Sequence, residues 1–281
     1  MPYAVAEVEL TGALPEIALE RGQDGFALLV RRRGRPIAFV LHERPAGGPV
    51  DPEELSRLLA EEVGTAVLRE ALVEELGGGP PPAAGGHVPI AVPGAELAPG
   101  WEAALAEALS EQPDAAVVAG PAVPRTLEGA EEIAAELALP PRMDKLRVAP
   151  RGAAEPPKLP ILRALAAAGA AAVRPDLGIR ARPADALVAA LRAGLPVAYE
   201  PGLLARTPGG LGAGAVAAAA RERGAATIAL LAAIAEGEPA LRPRTRRRTL
   251  RWVVREASRA ALDADARAVS IAELAGGLGA R

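Results

Sequence analysis

Residues 88–137 (VPIAVPGAELAPGWEAALAEALSEQPDAAVVAGPAVPRTLEGAEEIAAEL) alternate between two kinds of pattern, and this alternation decides the fold. Short apolar segments at residues 88–92 and 115–119 predict buried strands. Helices are predicted at residues 101–109 and at residues 126–137, where the first residue is a threonine that can cap the helix. Strands that alternate with helices favour an α/β fold with a mainly parallel sheet and flanking helices.

The alternation continues after a loop rich in proline and arginine at residues 140–160. Helices are predicted at residues 161–172 and 184–193. The run PVAY at residues 196–199 predicts a short strand between the second of these helices and the rest of the chain. The sequence therefore predicts further strand and helix units of the same α/β domain.

The C-terminal region, residues 209–281, is predicted to be mainly helical. Breaks are expected near Gly237 and Asp263. Ser270 and Glu273 have the spacing of a capping box and so predict the start of a last helix.

The N-terminal residues predict a small α+β domain over residues 1–76. Residues 3–10 alternate loosely and favour a strand, and residues 25–43 favour two strands around a turn. A helix follows, with Asp51 as N-cap and Pro52 at the first helical position. The Gly- and Pro-rich stretch after this helix cannot form a packed element.

Composition limits the functions that the chain can perform. Of its 281 residues 50% are apolar, enough for a core, but 2% are aromatic. The chain has no cysteine, which excludes disulfides and thiolate chemistry, and His42 and His87 are too few for a histidine metal cage. A net charge of −3 gives no signature of nucleic-acid binding.

Targeting features are also lacking in the sequence pattern. The N-terminal residues MPYAVAEVEL do not resemble a signal peptide, and no apolar stretch reaches the length of a membrane span. We therefore expect a cytoplasmic protein. The heavy use of Ala, Gly, Pro and Arg suggests a high-GC bacterial genome.

Four segments carry a resemblance to a known family. They are residues 90–105 (IAVPGAELAPGWEAAL), 113–130 (PDAAVVAGPAVPRTLEGA), 192–201 (RAGLPVAYEP) and 209–220 (GGLGAGAVAAAA). Together, and in this order, they are similar to family 2 glycosyltransferases of the GT-A fold, in the actinobacterial form with an extra N-terminal domain. Residues 1–76 resemble that extra domain.

The chain departs from this family at the positions that carry its chemistry. The resemblance implies a nucleotide-binding half between residues 76 and 88, where a Gly/Pro linker stands instead. It also implies metal-binding acids near residues 92–94, which are Val-Pro-Gly and cannot bind a cation. A later histidine-rich stretch of the family falls on residues 204–208 (LARTP), where no histidine remains. We therefore expect no metal site and no cofactor, with Mg²⁺ or Mn²⁺ bound only if a donor site survives.

Two acids remain as candidate site residues by this resemblance. Asp185 matches the catalytic base if two residues were deleted, and Glu96 is the acid nearest to the lost metal-binding positions. The alternatives are structural: a first-turn helix acid for Asp185 and a solvated loop acid for Glu96. Residues 210–215 fit a loose dinucleotide-binding pattern, but no predicted strand directly precedes them, which favours a plain helix start.

An arginine-rich segment at residues 242–259 contains eight arginines. At about 100° per residue, apolar side chains share one face and four arginines line the opposite face. Such a row can bind phosphates or rest on an anionic membrane surface, although we favour a solvated helix packed on an acidic body. The apolar face is predicted to be Leu250, Val253, Val254, Ala257 and Ala261, and the candidate anion-binding residues are Arg248, Arg251, Arg255 and Arg259.

The predicted architecture is a partial GT-A-like sheet with added elements at both ends. The function expected is that of a glycosyltransferase-like protein with impaired or no activity. A non-catalytic scaffold and an anionic-surface-binding module are the alternatives, with a nucleotide sugar, a protein or a membrane surface as partner and no specific nucleic acid. The predicted domains are residues 1–76 (α+β), 77–87 (linker), 88–208 (truncated glycosyltransferase-like) and 209–281 (helical).

Overall fold

Two β-sheets and eight α-helices make up the described part of the protein. A three-stranded sheet lies in the N-terminal part, and a seven-stranded sheet lies in the part after residue 86. Of the predicted linker, residues 77–85 fall outside the described residues. The computed structural model describes residues 2–44, 48–76, 86–139, 144–179, 182–262 and 267–279.

The N-terminal sheet has the order β1-β2-β3, with β1 parallel to β2 and β3 antiparallel to β2. Arg33 and Gly34 form the turn between β2 and β3 with positive φ angles of 51° and 76°, as tight hairpins require. These elements confirm the strands and helix predicted for this part. They are β1 (Tyr3–Glu9), β2 (Gly25–Arg32), β3 (Arg35–Glu43) and α1 (Pro52–Leu76).

The start of α1 follows the predicted capping pattern. The Oδ1 atom of Asp51 accepts hydrogen bonds from the backbone N–H groups of Glu53 and Glu54, at 2.9 and 2.8 Å. Pro52 occupies the first helical position, where its missing N–H costs nothing. The cap therefore satisfies donors that would otherwise lack a partner within the helix.

Strand β2 is buried on both faces because it lies between α1 and the larger part of the protein. Phe26, Leu28 and Val30 belong to the core that α1 covers, whereas Ala27 and Leu29 belong to two clusters shared with the larger part. Successive side chains of a strand point to opposite faces, which explains the alternation. The N-terminal sheet is thus joined to the rest of the molecule by apolar packing.

The larger part contains a mixed sheet. Its main path has the order β4-β8-β6-β10-β5, and β9 pairs with both β6 and β7. The strands are β4 (Val88–Ala91), β5 (Glu96–Leu97), β6 (Val117–Pro124), β7 (Leu146–Val148), β8 (Ala168–Val173), β9 (Val197–Tyr199) and β10 (Ala205–Thr207). The helices are α2 (Trp101–Glu111), α3 (Ala130–Leu137), α4 (Leu159–Ala166), α5 (Pro183–Arg192), α6 (Ala213–Gly237), α7 (Arg242–Leu262) and α8 (Arg267–Gly279).

The prediction of a mainly parallel sheet is wrong, although the α/β class is confirmed. Strand β6 is parallel to β9 and β10, but β8 runs antiparallel to both β4 and β6. The predicted helix at residues 161–172 ends at Ala166, and its second half forms β8. A Cβ atom on Gly169 would lie 2.6 Å from Cβ of Ala122, so glycine permits the close pairing of β8 with β6.

Several other boundaries differ from the predictions. Thr126 does not cap a helix, since α3 begins at Ala130 after Gly129. A short strand, β7, lies within the predicted loop at residues 140–160, and β10 was not predicted. Each of these strands has three residues, too few for a pattern of alternating side chains to be recognised in sequence.

The larger sheet separates two layers of helices. Along β6, Val117 and Ala119 belong to the cluster with α4, α5 and α6, whereas Val118 belongs to the cluster with α2. The same alternation appears in β9, where Ala198 lies on the α2 side and Tyr199 on the opposite side. A three-layer α/β arrangement therefore holds the strand ends between helices.

The C-terminal region is helical, as predicted, and its break after Gly237 is confirmed; Asp263 lies outside the described residues. Ser270 and Glu273 do not form a capping box. Both are buried inside α8, and Glu273 binds Arg163 and Arg223 there, at 3.1 and 3.3 Å. Within the described residues, no helix has the length and apolarity needed to span a bilayer.

Helix α7 packs through a different face from the one predicted. Leu250 and Val254 belong to the predicted apolar face, through which an amphipathic helix would pack on the body, but they are 65% and 56% exposed. Thr245, Trp252 and Glu256 are buried instead. The predicted face was wrong because the α7 interface includes a charged partner, Arg163, which lies near Glu256 and which no apolar pattern can reveal.

Candidate ligand-binding cavity

A cavity of about 520 Å³ lies at one edge of the larger sheet, between α3, α5 and α6. Strands β4, β6 and β10 run in the same direction, and Val92 and Thr207 line the cavity where β4 and β10 end. Crevices at the carboxyl ends of such strands are the usual ligand sites of α/β folds. The position of the cavity therefore makes it the candidate functional site.

The cavity brings together three segments that are distant in sequence. Val92 and Pro93 stand where the resemblance implies metal-binding acids, residues 182–185 include the candidate base, and Thr207 and Pro208 lie at the end of β10 and directly after it. Most of the remaining wall consists of small apolar side chains. These include Ala122, Ala166, Ala168, Ala219, Ala226 and Ala229.

Asp185 lies at the first turn of α5, and Arg182 binds it. Both of its carboxylate oxygens accept hydrogen bonds from the Arg182 guanidinium, at 3.2 and 3.4 Å, and Oδ2 also accepts from the Arg182 backbone N–H at 3.4 Å. The guanidinium also contacts Glu222 at 3.3 Å. This arrangement fixes the start of α5, as the structural alternative predicted. The role of Asp185 as a base is not tested and stays a prediction.

Charged residues that the sequence did not single out also line the cavity. Glu136 comes from α3, Glu222 and Arg223 come from α6, and Arg182 precedes α5. Arg223 is mostly buried, and its Nε atom binds Glu273 at 3.3 Å. The sequence does contain a signal for Glu222 and Arg223, because the three charged residues 221–223 interrupt a helix that is otherwise rich in alanine.

The potential of the cavity for cation binding is limited by its side chains. Val92 and Pro93 offer no side-chain ligand to a cation. Among the described residues, no group of three His, Cys, Asp or Glu side chains comes together as a metal site. The two arginines and three acids that line the cavity give it a negative formal charge.

Glu96, the other candidate, lies outside this cavity. It belongs to β5, pairs with Arg125, and its side chain is 71% exposed. The surrounding residues form a second cavity of about 430 Å³, between the N-terminal sheet and β5. The structure therefore does not bring Glu96 together with Asp185. The charged residues of the second cavity are Glu7, Arg31, Glu96, Arg125 and Arg206.

The glycine pattern at residues 210–215 forms the start of α6. The expectation that no strand directly precedes it is wrong, because β10 ends at Thr207. Gly212 is the N-cap, and the backbone N–H of Leu211 donates a hydrogen bond to Glu132 at 2.6 Å. A Cβ atom on Gly210 would lie 3.0 Å from the carboxylate of Glu128. Two acids at this loop oppose a bound diphosphate, which favours the structural interpretation.

The four candidate arginines of α7 do not form one free row. Arg248 donates to the carbonyl oxygen of Pro157 at 2.6 Å, and Arg259 donates to that of Ala138 at 3.4 Å. Arg251 and Arg255 are exposed. The predicted row is thus divided between two arginines that attach the helix to the body and two that face solvent.

A separate charged cluster connects the N-terminal sheet to the larger part. Glu200 is 2% exposed, and its carboxylate lies 3.5 Å from Nζ of Lys145 and 3.7 Å from the guanidinium of Arg35. The backbone N–H of Gly202 donates to it at 3.0 Å. Burial raises the pKa of Glu200, and Lys145 counteracts this effect. The cluster joins β3 to the end of β9.

Comparisons of the chain with models of protein families, with curated proteins and with solved structures found no match. The fold and the cavity define the class of the chain as an α/β protein with a ligand-sized cavity at the strand ends. The resemblance to family 2 glycosyltransferases stays a prediction.

Proposed function

We propose that the chain is a glycosyltransferase-like protein that keeps a ligand cavity and does not transfer sugar. One observation carries the proposal. One cavity is lined by three segments that are far apart in sequence and to which the resemblance assigns site positions. They are residues 92–93, 182–185 and 207–208. If the resemblance of these segments to the family were due to chance, nothing would require them to lie together at the ends of two strands.

The absence of transfer follows from the chemistry of the cavity wall. Inverting sugar transfer needs a base for the acceptor proton and stabilisation of the leaving diphosphate. Arg182 holds both oxygens of Asp185 at the start of α5, and Val92 and Pro93 supply no side-chain ligand to a cation that would stabilise the diphosphate. The negative formal charge of the cavity further disfavours a diphosphate. The small apolar side chains of the wall favour a compact, uncharged ligand instead.

The release of nucleoside diphosphate from UDP-, GDP- and dTDP-sugars, with and without Mn²⁺, tests this proposal. We expect background release from the wild-type protein and from Asp185→Asn alike. The matched control is Asp176→Asn, which removes an exposed acid paired with Arg174 outside the cavity. Release well above background that Asp185→Asn abolishes and Asp176→Asn preserves would overturn the proposal.

A further inference from the structure

We propose that the exposed face of α7 docks on an anionic lipid surface. The centre of this face is apolar: Leu250 and Val254 lie four residues apart and are 65% and 56% exposed, and Ala257 follows on the same face and is exposed too. The opposite face of the helix is fixed in the protein through Trp252, which is fully buried. The helix is therefore held rigidly with an apolar strip turned outward.

Exposed arginines surround this strip. Arg246 and Arg247 lie one helical turn before Leu250, and Arg251 lies one turn before Val254. All three are exposed. In the described part of the chain no acid forms an ion pair with any of them, so their guanidinium groups are available to an anionic partner.

Charge complementarity favours lipid as the partner. Helix α7 has eight arginines and one acid, the buried Glu256, although the chain as a whole has a net charge of −3. Apolar and arginine side chains on one helical face are typical of helices that lie in the membrane interface. A nucleic acid would use the arginines but has no place for Leu250 and Val254, and the one aromatic residue of α7, Trp252, is buried away from stacking.

Flotation with lipid vesicles tests this proposal, which is independent of the cavity. Vesicles of equal parts phosphatidylcholine and phosphatidylglycerol should bind the protein, and pure phosphatidylcholine vesicles should bind it far less. The variant R246Q/R247Q/R251Q should lose about a hundredfold in partition, since each arginine near an anionic surface contributes about fivefold. Added salt should weaken binding of the wild-type protein.

Two further variants make the test specific. R21Q/R57Q/R221Q removes the same charge from exposed arginines elsewhere and should reduce partition much less. L250S/V254S should weaken binding by removing the apolar strip while leaving every charge. Equal binding to both vesicle types, equal losses in the two arginine variants, or release from anionic vesicles by duplex DNA at low concentration would each overturn the proposal.

Discussion

Several charged side chains that line the two cavities form ion pairs with each other and so already have partners within the protein. Arg182 binds both Asp185 and Glu222, and Arg125 binds Glu96. A carboxylate that accepts hydrogen bonds from a guanidinium at the first turn of a helix is held in place there, which gives Asp185 a structural role. Asp185 and Glu96, the two acids predicted to be site residues, therefore both have structural partners.

Glu9→Gln should remove an acid-sensitive part of the stability. Burial acts to raise the pKa of Glu9, but hydrogen bonds from Gly34, Thr11 and Arg33 together lower it to about 2. Because the pKa in the folded state lies below the ordinary value of 4.5, the carboxylate stabilises the fold above that pH. This contribution is lost as the pH falls towards 2.

Urea unfolding at several pH values measures this effect. At about pH 7 the wild-type protein should exceed Glu9→Gln by about 1 kcal/mol, after allowance for solvent screening. The difference should shrink steadily in acid. A difference that stays constant from neutral to strongly acidic pH would show that the carboxylate charge has no part in the turn.

At the scale of helices and strands, the sequence predicts the elements whose side-chain pattern is local. The β2–β3 hairpin and α1 were predicted correctly, because the turn glycine and the Asp51 cap act on their own neighbours. Strand β8 was missed because alanine favours helix by intrinsic preference, and its position between β4 and β6 overrides that preference. Such tertiary constraints are not encoded in local spacing.

The face of α7 gives a direct test at this scale. Trp252→Ala should destabilise the protein by about 3–5 kcal/mol, because it empties a fully buried site. Leu250→Ala is the matched control and should change stability by at most about 0.5 kcal/mol, because Leu250 is exposed. Thermal or urea unfolding measures both. A larger cost at Leu250 than at Trp252 would mean that the helix packs through the predicted face after all.

At the scale of the whole molecule, the buried Glu200 cluster helps to join the N-terminal sheet to the larger part. Glu200→Ala should destabilise the protein by about 2 kcal/mol, because it removes the buried carboxylate that contacts Lys145, Arg35 and the backbone N–H of Gly202. Glu107 still contacts both cations in the variant, so neither is left unpaired. Glu111→Ala, which removes a more exposed partner of Lys145, should cost at most about 1 kcal/mol. Equal costs in chemical unfolding would argue against a coupling role for Glu200.

The cavity was predictable from the sequence in part. The resemblance named positions near residues 92–94, 182–185 and 204–208, and parts of all three line the cavity. Glu136, Glu222 and Arg223 were missed because they come from helices whose place beside the strand ends depends on the packing of the whole fold. These positions support the proposal that the cavity binds a ligand and that the protein does not transfer sugar.

A thermal-shift titration with UDP-, GDP- and dTDP-sugars, with and without Mn²⁺, tests this central claim most directly. A ligand that binds the folded state alone must raise the melting temperature as its concentration passes the dissociation constant. We predict no saturable shift with any of these donors, with or without Mn²⁺. A saturable shift that requires Mn²⁺ and is lost in Asp185→Asn would contradict the account, because it would show a working donor site in the cavity.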